Sequence, residues 1–84
     1  MSKKQVCAVV GVGIGNGAAL ARRFSDDGYA VALLARSDKV SGELAQALPD
    51  AKAFPCDVGD PASIAKAFAD IRAQLGEVDV VAYN

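Results

Sequence analysis

The residues best suited to chemistry are the glycines of Gly11-Val12-Gly13-Ile14-Gly15-Asn16-Gly17, four in seven positions. They fall between an apolar, β-prone run (Gln5 to Val10) and a segment with helical spacing, Gly17, Leu20, Ala21 and Phe24. A helix start offers unpaired N–H groups and a partial positive charge, and glycines let a diphosphate approach the backbone closely. The expected anion-binding set is Gly11, Gly13, Ile14, Gly15, Asn16 and Gly17. No Lys follows the glycines, so a mononucleotide P-loop is excluded. A turn that merely connects strand to helix would not need so many residues without side chains.

A second position qualifies what the turn would hold. Dinucleotide-binding units often carry an acid about 20 residues after the glycines, on the adenine ribose hydroxyls. Here Arg36 stands in that place, followed by Ser37. A guanidinium favours a ribose 2′-phosphate, which points to NADP with NAD as the other possibility. The missing acid also weakens a methyltransferase reading. Two other chemistries recede on composition. The sequence has no His and only two cysteines, Cys7 and Cys56, both in apolar runs. These are expected to be core thiols, two strands apart and beyond disulfide reach, and no metal site is expected.

The elements that must position these residues alternate strictly. After the first helix comes Tyr29 to Ala35, seven apolar residues without polar alternation, suited to a strand covered on both faces. Ser37 or Asp38 can cap a second helix through Val40, Leu44, Ala47 and Leu48, which Pro49 ends. Ala51 to Cys56 reads as a third strand. Asp60-Pro61 begins a third helix carrying Ile64, Ala67, Phe68, Ile71 and Leu75, and Val78 to Tyr83 reads as a fourth strand. The order βαβαβαβ predicts the front portion of a doubly wound α/β fold, a parallel sheet ordered 3-2-1-4. The first two helices should cover one face and the third the other. At 84 residues with net charge −1, the chain has room for one domain and no basic surface for nucleic acid or an acidic membrane. With no membrane-length apolar run and no export signal, a cytoplasmic protein is the default expectation.

In sum of its motifs the chain resembles the short-chain dehydrogenases/reductases. Gly11-x-x-x-Gly15-x-Gly17 matches their glycine motif, and Leu34-Ala35-Arg36 resembles their NADP-preferring second-strand end. Cys56-Asp57-Val58 is similar to their Asp-Val pair, and Tyr83-Asn84 falls where they carry an Asn-Asn-Ala-Gly segment. The resemblance runs from Val6 onward and implies a Rossmann-like fold and hydride transfer between NADP(H) and an alcohol or carbonyl. It implies that Asp57 meets the adenine amino group, that the Val58 amide meets adenine, and that Asn84 adjoins the nicotinamide side. Val10, Ile14, Asn16 and Tyr83 depart from the family's usual residues. The family's catalytic Ser and Tyr-x-x-x-Lys are absent, since Leu33 follows Tyr29 at that spacing. The chain is therefore expected to be the cofactor-binding part of a longer reductase, inactive alone and dimeric or tetrameric when full-length. The alternative is a non-catalytic NAD(P)-binding module or redox sensor.

Overall fold

A computed structural model describes residues 4–11, 16–36, 38–57 and 59–83, with side chains at 16 and 38–40 left undescribed. Seven elements follow in order: β1 (Val6–Val10), α1 (Asn16–Asp26), β2 (Ala30–Ala35), α2 (Asp38–Ala47), β3 (Ala51–Pro55), α3 (Pro61–Gln74) and β4 (Val78–Tyr83). The strands form one parallel sheet ordered β3-β2-β1-β4. This is the Rossmann-like arrangement expected from the sequence. No described helix is long and apolar enough to cross a membrane.

Every residue of β1 and β2 is buried, which explains their unbroken apolar sequence. Alternate side chains feed two cores. Val6, Ala8, Val10, Ala32 and Leu34 pack with Ala67 and Ile71 of α3. Cys7, Val9, Val31 and Leu33 pack with Ala21 of α1 and Leu44 of α2. Two helices thus lie on one face and one on the other. The two cysteines are buried, free and on opposite faces of the sheet. Ala47 departs from its expected core position and is exposed at the end of α2.

Helix ends follow local chemistry. The α1 helix stops in a motif where Gly28 N–H donates to Ser25 O (3.0 Å) and Tyr29 N–H to Phe24 O (3.1 Å). That geometry needs a positive φ at the residue after the C-cap Asp27, and Gly28 supplies 92°. The Phe24 and Tyr29 rings then meet edge to face at 5.2 Å, closing the motif with an apolar contact. At α3, Asp60 Oδ1 accepts from Ala62 N–H (3.0 Å), and Pro61 takes the first turn, where no N–H is required.

The β4 strand lies at a sheet edge and differs from β1 and β2. Its pairing with β1 slips between Val6 and Cys7, whose partners are Val78 and Val80. The skipped residue, Asp79, turns its carboxylate to accept from Val6 N–H at 2.9 Å. Beyond the slip, Val81 and Tyr83 stand opposite Ala8 and Val10 and are exposed.

Candidate functional site

In a parallel sheet all carboxyl ends lie on one side, and ligands favour the crevice where strand order reverses. That point here is β1, with β2 and β3 to one side and β4 to the other. The ladder continues just past the strands. Gly11 N–H donates to Leu34 O (3.0 Å), and Cys56 N–H donates to Ala35 O (2.9 Å). These bonds hold the three chain exits Gly11, Arg36 and Asp57 at sheet spacing, so the outer two stand roughly 10 Å apart. Gly11 leaves β1 with φ 87°, a conformation that a side chain would strain.

The three exits share a cavity of about 460 Å³, lined by Gly11, Leu34, Ala35, Arg36, Cys56, Asp57 and Gly59. Its volume lies within the range of small-molecule sites, roughly 300–1,000 Å³. The lining combines apolar Leu34 and Ala35 with two residues of opposite charge, Arg36 and Asp57, at neighbouring strand exits. Arg36 is exposed and Asp57 half-buried. An adjoining hollow of about 300 Å³ shares Arg36, Cys56 and Asp57 and extends to Ser63, Lys66 and Asp70. There Lys66 Nζ pairs with Asp70 Oδ2 at 2.9 Å.

The structure therefore brings together Gly11, Arg36 and Asp57 out of the expected set. Gly17 is buried in the first turn of α1, and Asn16 opens that helix. Gly13, Ile14, Gly15, Ser37, Val58 and Asn84 lie outside the described residues. Cys56, expected only as a core thiol, is buried yet also lines both hollows. Burial pushes its thiol pKa up; a Ser63 hydrogen bond opposes this and the nearby Asp57 charge adds to it. The thiol is thus protonated at neutral pH and contributes polarisable surface rather than charge. Gly59 and Ser63 are two further residues of the site; the Asp57-x-Gly59-Asp60 turn signature was a sequence signal for Gly59, and Ser63 had none.

Comparison with known proteins sharpens the family. A profile described as short chain dehydrogenase matches residues 5–84. The chain belongs to the short-chain dehydrogenase family. It is 33% identical over 82 residues to a meso-2,3-butanediol dehydrogenase of Serratia marcescens, covering 95% of this chain and 33% of that protein. It is 34% identical over 87 residues to an uncharacterized oxidoreductase of Mycobacterium tuberculosis, covering 96% of this chain and 34% of that one. Among solved structures, a point variant of actinorhodin polyketide ketoreductase with NADPH superposes with TM-score 0.87 at 30% identity, covering 96% of this chain and 33% of that chain. A structure titled ribose-5-phosphate isomerase from Brucella melitensis gives TM-score 0.89 at 30% identity, covering 98% and 32%. This short-chain dehydrogenase sequence therefore spans about a third of the length of the relatives it matches.

Proposed function

We propose that this chain is the nucleotide-binding part of an oxidoreductase that prefers NADP(H) and acts on a small alcohol or carbonyl substrate. The observation that carries the reading is the shared cavity, lined by Gly11, Arg36 and Asp57 at three adjacent strand exits. These residues fit the adenosine end of a dinucleotide: a cation where a ribose 2′-phosphate belongs, an acceptor for an amino group, and a bare backbone for close approach.

In this reading Gly11, Gly13, Ile14, Gly15, Asn16 and Gly17 hold the diphosphate through backbone N–H groups and the start of α1. Arg36 and Ser37 take the 2′-phosphate, Asp57 and Val58 the adenine, and Asn84 adjoins the nicotinamide. The bound nucleotide supplies hydride chemistry; the residues of this chain bind and orient it. The NADPH in the ketoreductase structure and the diol named for the Serratia enzyme support the cofactor and substrate class. Assembly of the whole enzyme as a homodimer or homotetramer belongs to the same proposal.

Arg36→Asp tests the cofactor preference. Exposure of Arg36 places it in a high-dielectric setting, where unit charges about 4 Å apart interact by ~1 kcal/mol. Reversing its charge beside a phosphate of about −1.5 to −2, with salt screening, costs roughly 2 kcal/mol, or about 30-fold. NADPH affinity should fall by that factor while NADH affinity stays within about threefold. Equal losses for both would make Arg36 structural and overturn the preference. Fold alone does not select chemistry, so ribose 5-phosphate serves as a competitor: displacement of NADPH by it would favour the isomerase named for the Brucella structure.

A further inference from the structure

Asp57, which lines the cavity, sits on a tight turn where three hydrogen bonds meet. Two are internal: Asp57 O accepts from Asp60 N–H (2.9 Å), and Asp57 Oδ1 accepts from Gly59 N–H (3.0 Å). They set the shape of the turn, while the Cys56 N–H bond to Ala35 O holds its entry at the sheet. The third reaches across six residues to a rigid element. Asp57 N–H donates to Ser63 Oγ at 2.9 Å, and the same hydroxyl hydrogen-bonds the Cys56 thiol. A hydroxyl can accept from one group and donate to another, so Ser63 engages two successive residues at once. Ser63 lies in the first turn of α3, a helix fixed to the sheet by the buried side chains of Ala67 and Ile71.

We propose that Ser63 is a positioning residue for adenine recognition, tying Asp57 to α3 so that its carboxylate meets the adenine amino group in register. This rests on the assignment of Asp57 to adenine made above. Nothing in the sequence pattern assigns Ser63 a role: it is one small polar residue on a helix, and its partner is fixed only by the way the chain turns back at Gly59.

The test is NADPH titration of the protein and four variants, each with a thermal melt. Ser63→Ala should weaken NADPH by about tenfold, the scale of one well-placed hydrogen bond, while the melt stays cooperative. Ser63→Thr keeps the oxygen and should recover affinity to within about threefold. Because Ser63 acts through Asp57, Ser63→Ala added to Asp57→Ala should cost little beyond Asp57→Ala alone. Unchanged affinity in Ser63→Ala, failure of Thr to recover it, full additivity in the double variant, or loss of the cooperative melt would each overturn the positioning role. If Asp57→Ala weakens NADPH and Ser63→Ala does not, only this inference falls. If Asp57→Ala also leaves affinity unchanged, the adenine assignment itself is wrong.

Discussion

Ile71→Ala probes the link between core packing and the site. Ile71 is fully buried on α3 and packs against Ala8, Val10 and Leu34 of the sheet as part of one core. The substitution removes three carbons, worth about 2.4 kcal/mol at ~0.8 kcal/mol each in transfer energy. The cavity left behind raises the cost to about 3–4 kcal/mol, because only one helix covers that face and the strands beneath cannot follow it down. An 84-residue fold is worth roughly 4–12 kcal/mol, so the loss takes a large share of the total. At about 4–8 °C per kcal/mol for a domain of this size, the melting midpoint should fall by about 15–30 °C. Circular dichroism at 222 nm follows the transition, with Val81→Ala on the exposed β4 face as a control that should move it little. A fall below about 5 °C in Ile71→Ala would mean that α3 is not anchored through this side chain, and that Ser63 has no rigid support.

Two glycines with open space at the Cβ position should respond oppositely to alanine. Gly28→Ala, at φ 92°, should cost about 1–2 kcal/mol, and Gly42→Ala, inside α2, should gain about 0.5–1 kcal/mol; urea midpoints read both. Loss at both positions would show that unseen contacts, not backbone conformation, decide. The Cys7 thiol is pushed up from its ordinary 9.0 to about 11, chiefly by burial, with a backbone hydrogen bond from Ala82 opposing. Its native state holds the proton that the unfolded chain gives up first, so its contribution is complete below about pH 9 and is lost as pH rises through about 11. Urea midpoints across that window should drop by about 3 kcal/mol equivalent, and Cys7→Ala should flatten the slope; an equal slope in the variant would refute the assignment.

The element order, the sheet order and the sidedness of the helices were legible because they rest on local patterns. Unbroken apolar runs marked β1 and β2, Asp60-Pro61 marked the start of α3, and Gly28 marked the end of α1. Gly11, Arg36 and Asp57 were legible as strand-end residues, since a parallel sheet must bring its carboxyl ends together. Two features were not. The Asp79 bond to Val6 N–H joins residues 73 apart and depends on a one-residue slip that no periodicity announces, though a lone acid within an apolar strand was its trace. The Ser63 tie depends on the path of the turn at Gly59, which returns the chain to α3 and which no local pattern specifies.

The central claim is that the β1, β2 and β3 exits together receive an adenosine bearing a 2′-phosphate. Amide chemical shifts of the protein titrated with adenosine 2′,5′-bisphosphate test it most directly. The account predicts saturable shifts at Gly11, Arg36, Asp57 and Gly59, with markedly weaker binding of adenosine 5′-monophosphate. Shifts confined to Gly76, Glu77 and Asp79 around the hollow at the opposite sheet end, or equal affinity for the two nucleotides, would contradict it.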